Sequence, residues 1–157
     1  MTTLPINADR FLDELQTIRA FGAQGAGVSR TAFSDEDVVA RRWLARKAEA
    51  AGLSAAVSPY GDVFGLSREA GRSLLIGSHS DTQPLGGWLD GVYGVMCGLE
   101  IARAAAEAGG PPISFVSFQD EEGWFGALTG SAIWSGRRAP EEADQLTNPN
   151  GEKLGEI

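Results

Sequence analysis

The sequence contains one cysteine, one histidine and no long apolar run. With Cys97 alone, no disulfide can form within the chain, which is typical of proteins from reducing compartments. The amino-terminal MTTLPINADR has neither the basic nor the apolar region of a secretory signal, and no run approaches the roughly 18 apolar residues of a membrane span. We therefore expect a soluble, cytoplasmic protein without a membrane partner.

Positive charge is also scarce. The chain has 13 basic residues against 21 acidic ones, for a formal net charge of −8, and the basic residues are scattered. A protein that binds nucleic acid needs a basic face to neutralise phosphates, so we expect no nucleic-acid partner. The glycines of GGWLDGVYG match no phosphate-binding loop and lack its lysine, so they are interpreted as turn residues.

The chain of 157 residues is about one domain long, and its first part has two helical patterns. Apolar residues at steps of three and four predict a helix over residues 8–21, with Asn7 as its N-cap. Ser34 begins a capping pattern for a second helix that ends near Gly52. The apolar stripe expected on this helix is Val38, Val39, Trp43, Leu44 and Ala48.

The middle of the chain alternates strand and helix patterns. Residues 53–57 and 63–66 flank a Pro-Tyr-Gly-Asp turn and predict a hairpin. The largely apolar run at 73–78 predicts a strand in a buried sheet position. A helical pattern then runs from Val92 to a Gly-Gly-Pro-Pro turn, and residues 113–118 form the next strand. Strand, crossover helix and strand make a parallel βαβ unit, so the expected fold is a three-layer α/β/α arrangement with a mainly parallel sheet.

Residues 78–94, SHSDTQPLGGWLDGVYG, join the first strand of this unit to its helix and carry His79, Asp81 and Asp90. Ligands gather at the carboxyl ends of parallel strands, and a histidine with two aspartates there indicates a metal site. His79 and Asp81 are two residues apart, so on an extended chain the carboxylate can accept the second N–H of the imidazole. For His79 alone, a buried and hydrogen-bonded histidine is the simpler interpretation, but the full spacing favours metal binding.

A second acidic cluster, Asp120-Glu121-Glu122, follows the next strand and would reach the same edge of the sheet. Neighbouring side chains at a strand end point in different directions, so one glutamate can bind metal while the other faces the metal-bound water. The alternative is a solvated acidic corner. The apolar segments on both sides, residues 115–118 and 124–125, make full solvation of this corner the weaker interpretation.

Two motifs together, GSHSDTQPLGGWLDGVYGV and SFQDEEGWFGALTGSAIWSG, resemble the zinc-dependent amidohydrolases of the hydantoinase/carbamoylase type. N-carbamoyl-L-amino-acid hydrolases and allantoate amidohydrolases belong to this type, within the larger aminoacylase and aminopeptidase group. The upstream GVSRTAFSDEDVVARRWLARKAEAAGL is similar to the same branch. The resemblance implies that His79 binds one zinc, Asp90 bridges two zincs and Glu122 binds the second. It also implies that Glu121 is the general base and that Asp81 orients His79.

The resemblance further implies two zinc ions per complete site, with Mn²⁺, Co²⁺ or Ni²⁺ as alternatives, a small ureido or amide substrate, and a homodimer for the complete family protein. Glu121 would deprotonate a water shared by the two ions, and the hydroxide would attack the carbonyl of an N-carbamoyl amino acid or a related ureido compound. The family uses two further histidine ligands and an inserted dimerisation or lid domain, so residues 1–157 correspond to a partial catalytic domain. We therefore expect the chain by itself to be inactive.

Two other interpretations stay open at this point. The first is a catalytically incompetent α/β fragment or binding module, which would fold without binding zinc. The second is a one-zinc or remodelled hydrolase completed by another chain, which would be active only in an oligomer.

Overall fold

The computed structural model describes residues 3–157. The helices are α1 (Ala8–Ala20), α2 (Asp35–Ala50), α3 (Val92–Glu107), α4 (Thr129–Trp134) and α5 (Pro140–Ala143), with a 3-10 turn at Leu154–Glu156. The strands are β1 (Ala23–Gln24), β2 (Gly27–Val28), β3 (Ser54–Val57), β4 (Val63–Leu66), β5 (Leu74–His79) and β6 (Ile113–Phe118). Within residues 3–157, none of the helices has the length and apolar character needed to cross a membrane.

The first two long helices begin at the caps that the sequence predicts. The Asn7 side chain accepts a hydrogen bond from the Arg10 N–H, and the Ser34 side chain accepts one from the Asp37 N–H. These bonds satisfy backbone groups that have no partner in the first turn of a helix. In α2 the expected apolar stripe needs one correction. Val39 is 45% exposed, since the helical period of 3.6 residues turns it away from the buried stripe at Ala40, Trp43, Leu44 and Ala48.

The main sheet has the strand order β3-β4-β6-β5. The predicted hairpin β3–β4 is confirmed and is antiparallel, β4 also pairs with β6 antiparallel, and β5 pairs with β6 in parallel as the βαβ unit requires. The α/β class is confirmed, while the described strands make a mixed sheet because the hairpin adds antiparallel pairs beside the parallel one.

The predicted buried position of the first βαβ strand was wrong. In the described part of the chain, β5 lies at the edge of the sheet, and its Leu74 is 61% exposed. An apolar run specifies a strand but not the number of its neighbours.

Helices cover both faces of the sheet. The helices α1, α2 and α3 share one apolar core with Phe115 of β6, whose ring lies where a side chain at Gly65 would stand. Successive residues of a strand face opposite sides, so Phe118 lies on the other face, where its ring is 5.6 Å from that of Trp134 in α4. The layers are therefore α/β/α, as expected. His79 pairs in register with Phe118 at the ends of β5 and β6, so the segments that follow leave the sheet at the same edge.

Candidate metal centre

His79 is the last residue of β5 and is only 5% exposed. Its ring Nδ1 lies 3.1 Å from the backbone oxygen of Asp81. A carbonyl oxygen can only accept, so this contact requires a proton on Nδ1. In the neutral ring Nε2 then carries the free lone pair. Gly91, the N-cap of α3, has φ +63° and leaves space for the imidazole, because a Cβ there would collide with the ring.

Asp81 connects the two segments that carry the candidate ligands. Its side chain is 1% exposed, and Oδ2 accepts a hydrogen bond of 3.1 Å from the backbone N–H of Glu122. Its Oδ1 lies 3.5 Å from His79 Nδ1, which is long for a hydrogen bond, and has no other partner among the described residues. Asp81 therefore touches His79 after β5 and the backbone of Glu122 after β6.

His79, Asp90 and Glu122 each offer one ligand atom within 4.8 Å of the other two. Asp90 is exposed and Glu122 is half-buried, and the Gln83 side chain donates to Glu122 Oε2 at 3.1 Å. Glu121 reaches the same place, with Oε2 at 3.4 Å from His79 Nε2. The structure thus brings together all five residues that the sequence singles out around His79.

The segment before Asp90 is held by residues near the amino terminus. Val28 and Gly86 exchange backbone hydrogen bonds of 3.1 and 2.9 Å. The Arg19 guanidinium stacks 4.7 Å from the centre of the Trp88 ring. These contacts fix the loop that presents Asp90 to His79.

The charges of the site favour a cation. Burial lowers the pKa of His79, but the hydrogen bond and charge of Asp81 and the charge of Glu121 outweigh burial, so the pKa is raised above its ordinary value. Four carboxylates, those of Asp81, Asp90, Glu121 and Glu122, surround the single imidazole. An imidazole nitrogen with carboxylate oxygens is a donor set that zinc and several other divalent transition metals accept. The residues present therefore fit a metal ion.

Comparisons with known proteins give a consistent picture, although no family model matches the chain. The N-carbamoyl-L-amino-acid amidohydrolase of Paenarthrobacter aurescens is 35% identical over 162 residues, which is 96% of this chain and 39% of that protein. The same kind of enzyme from Rhizobium meliloti is 35% identical over 161 residues, 96% of this chain and 38% of that protein. The solved structure of a hydantoinase/carbamoylase family amidase from Burkholderia phymatum superposes with a TM-score of 0.94 at 46% identity, covering 99% of this chain and 39% of that chain. The chain belongs to the hydantoinase/carbamoylase family.

The family match covers a part of the relatives. The chain spans 39% and 38% of the length of the two amidohydrolases, so the match establishes the family and the fold of that shared part.

Another relative is named for a different ureido compound. A ureidoglycolate hydrolase from Arabidopsis thaliana is 28% identical over 165 residues, 99% of this chain and 35% of that protein.

Asp120 precedes Glu121 and Glu122 in the sequence, but its side chain binds the loop that follows β6. It has φ +54°, and its buried carboxylate accepts hydrogen bonds from the backbone N–H groups of Phe125 (3.0 Å) and Gly126 (2.9 Å) and from the Thr129 hydroxyl. Burial raises the pKa of Asp120, and these hydrogen bonds act in the opposite direction. Asp120 thus caps the loop after β6, and the acidic run itself gives no sign that one of its three members turns inward.

Arg30 was missed altogether by sequence reasoning. It lies in the loop between β2 and α2 and is 0% exposed. Its guanidinium reaches the backbone of the segment that carries His79 and Asp81. An arginine in a predicted loop is normally taken as exposed, so no local pattern could have indicated its burial.

Proposed function

We propose that the protein supplies the metal-binding part of an amidohydrolase that breaks a C–N bond in N-carbamoyl amino acids or related ureido compounds. The observation that carries the proposal is the convergence of His79, Asp90 and Glu122 within 4.8 Å at the ends of two parallel strands. Membership of the hydantoinase/carbamoylase family supports the reaction class. The alternative of a non-catalytic α/β module is not favoured, because every similar protein named above is a hydrolase or an amidase.

In this proposal His79, Asp90 and Glu122 would hold the metal. When bound, the cation polarises the substrate carbonyl and lowers the pKa of a bound water. We take zinc as the cation, because an imidazole with carboxylates is among its usual ligand sets. Asp81 keeps the proton of His79 on Nδ1, which leaves Nε2 free to bind.

Glu121 is the proposed general base. Its Oε2 lies 3.4 Å from His79 Nε2, so its carboxylate is next to the proposed position of the cation and of the attacking water. Its side chain is 37% exposed, which leaves it accessible to water and substrate. Glu121 would accept a proton from the water and return it to the leaving nitrogen after the C–N bond breaks.

The substrate class follows from what the named relatives share. N-carbamoyl amino acids and ureidoglycolate both carry a ureido group, whose carbonyl is flanked by two nitrogens. We therefore propose a small ureido compound as the substrate. The homodimer implied by the resemblance and the cytoplasmic location expected from the sequence stay predictions, and the mass of the protein in solution tests the first.

A chimeric enzyme tests the reaction. The 157 residues would replace the matched region of the Paenarthrobacter amidohydrolase, and release of amino acid from N-carbamoyl-L-amino acids would be measured with zinc present. We expect turnover by the chimera and none by the 157-residue chain alone, which has one histidine to offer.

In the chimera, Glu121→Gln should lower kcat by about 10²–10⁴, the usual contribution of a general base, while zinc content stays at the level of the parent chimera. The matched control is Glu69→Gln, at an exposed glutamate outside the site. Full activity of the Glu121→Gln chimera would remove Glu121 from the mechanism. A folded, zinc-loaded parent chimera that hydrolyses no ureido substrate would refute the proposed reaction.

A further inference from the structure

Arg30 is a fully buried arginine behind the candidate metal centre. It is 0% exposed, and burial lowers its pKa because the charged form loses its hydration. Within the described residues it forms no ion pair at 4.0 Å or less, and the hydrogen bonds of its guanidinium are all made to backbone carbonyl oxygens. Burying a guanidinium without an ion-pair partner costs free energy, which the hydrogen bonds of the side chain must offset.

Those contacts bracket Asp81 on both sides. The Arg30 Nε donates to the backbone oxygen of Ser80 at 2.7 Å. The Arg30 backbone N–H donates to Thr82 Oγ1 at 2.9 Å, and the Thr82 N–H donates to the Arg30 oxygen at 2.8 Å. Both neighbours of Asp81 are therefore fixed by the same residue.

The other end of the guanidinium is anchored to α1. Its Nη1 donates to the carbonyl oxygens of Ile18 (2.9 Å) and Phe21 (2.7 Å), at the end of the helix, where free carbonyls and the helix dipole favour a cation. A planar guanidinium can direct bonds to Ser80 and to these two carbonyls at once, whereas a lysine ammonium is a single point that cannot span them.

We propose that Arg30 is a positioning residue for the metal centre, which acts by holding Asp81 so that His79 keeps its proton on Nδ1 and turns Nε2 towards the cation. The inference rests on the proposed metal binding. Asp81 connects Arg30 directly to the site. Its backbone oxygen accepts a hydrogen bond from His79 Nδ1 at 3.1 Å, and its Oδ2 accepts one from the Glu122 N–H at 3.1 Å.

The two nitrogens of His79 compete for the proton of the neutral ring. Nδ1 faces Asp81 at 3.1 Å and Nε2 faces Glu121 at 3.4 Å, and both neighbours can accept a hydrogen bond. If the backbone of Asp81 moves, the proton goes to Nε2 and the nitrogen needed for the cation is blocked. The tautomer of His79 thus reports the position of Asp81 without any metal being present.

The experiment compares Arg30→Lys with wild type in the metal-free chain by long-range ¹H–¹⁵N NMR, at a pH where the ring is neutral. His79 is the only histidine, so its signals need no assignment. We expect mainly the Nδ1–H tautomer in wild type and a shift towards Nε2–H in Arg30→Lys. The matched control is Arg103→Lys, another buried arginine, whose partners are Glu14 and Glu100 away from the site and which should leave the tautomer unchanged.

Zinc affinity, measured by competition with a chromophoric chelator, is the second readout. We expect Arg30→Lys to weaken binding at least about tenfold, the lower range for residues that orient metal ligands. In an Asp81→Ala background the same change should still weaken binding, because this variant keeps the backbone oxygen that accepts from His79 Nδ1. A residue needed only for folding would leave the His79 tautomer unchanged in a folded Arg30→Lys chain.

Wild-type tautomer and wild-type zinc affinity in a folded Arg30→Lys chain would overturn the inference and leave the proposed function intact. A tautomer shift in a chain for which neither wild type nor variant binds zinc would uphold the positioning role and refute the metal proposal. If Arg30→Lys does not fold, Thr82→Val removes the hydroxyl that accepts from the Arg30 backbone N–H and should shift the tautomer, while Thr82→Ser keeps a hydroxyl there and should retain the wild-type tautomer. An unchanged tautomer in Thr82→Val would then overturn the inference.

Discussion

Gly91 shows how closely single residues define the site. Its φ of +63° is a conformation that favours glycine, and the absent side chain is the space that the imidazole of His79 occupies. Backbone conformation and side-chain space therefore both require glycine at the start of α3.

We expect Gly91→Ala to weaken zinc binding by about tenfold or more, because the new methyl group displaces the His79 ring. The matched control is Gly136→Ala. Gly136 has φ +73° with no atom near its would-be Cβ, so this variant carries only the backbone cost of about 1–2 kcal/mol. Urea unfolding and zinc competition on both variants separate the two effects. Equal zinc affinity in Gly91→Ala and Gly136→Ala would contradict the packing of His79 against Gly91.

Asp120 offers a second test at the residue scale. Asparagine tolerates the left-handed conformation at φ +54° but loses one of two accepting oxygens, so Asp120→Asn should lower the free energy of unfolding by about 1–3 kcal/mol. Zinc binding by the folded variant should equal that of wild type, because Asp120 faces Phe125 and Gly126. Loss of zinc at unchanged stability would instead make Asp120 a ligand.

At the scale of residues, the sequence correctly predicted that the side chains around His79 lie close together. His79, Asp81 and Asp90 share one loop, and the two-residue spacing of His79 and Asp81 could be interpreted on an extended chain. The contacts of Asp120 and Arg30 could not be predicted from the sequence, because they are made to partners that only folding brings near, such as Ser80 for Arg30.

At the scale of helices and strands, a prediction was correct when the residues that decide the feature lie close together in the sequence. The caps Asn7 and Ser34 and the turn between β3 and β4 each involve residues a few positions apart, and all were predicted correctly. The place of β5 in the sheet depends on distant segments, so its apolar run suggested a buried strand where the described chain has an edge.

The short helix α5 is attached to the β3–β4 turn by a tyrosine whose ionisation can be followed. The Tyr60 hydroxyl lies 2.7 Å from Asp144 Oδ1, and this hydrogen bond raises the pKa of Tyr60 to about 12. Because the pKa is raised in the folded state, the Tyr60–Asp144 hydrogen bond contributes fully to the free energy of unfolding below the unfolded pKa of about 10. This contribution is lost as the pH rises towards 12. Because the pair is accessible to solvent, we expect the loss to stay below about 1 kcal/mol.

The measurement is the difference in free energy of unfolding between wild type and Tyr60→Phe, from urea titrations at pH 8 and pH 11.5. The amount by which the free energy of unfolding of wild type exceeds that of Tyr60→Phe should be smaller at pH 11.5 than at pH 8. A difference that is constant between the two pH values would show that the hydrogen bond to Asp144 does not contribute.

For the whole molecule, one βαβ unit explains why residues far apart in sequence meet. The parallel pair β5–β6 ends at His79 and Phe118, so the loop with Asp90 and the segment with Glu121 and Glu122 emerge side by side. This rule of parallel sheets let the sequence predict that these two segments meet. The net charge of −8 is consistent with the carboxylates that gather around His79.

The central claim is that His79, Asp90 and Glu122 form a metal centre, and zinc stoichiometry of the purified chain near neutral pH tests it most directly. After loosely held metal is removed, we expect about one zinc per chain, since the three residues supply three of the usual four ligands and water can complete the set. Asp90→Ala should abolish this binding, while Glu69→Ala, at an exposed glutamate outside the site, should leave it unchanged. A folded wild-type chain that retains no zinc, or an Asp90→Ala chain that retains all of it, would contradict the account.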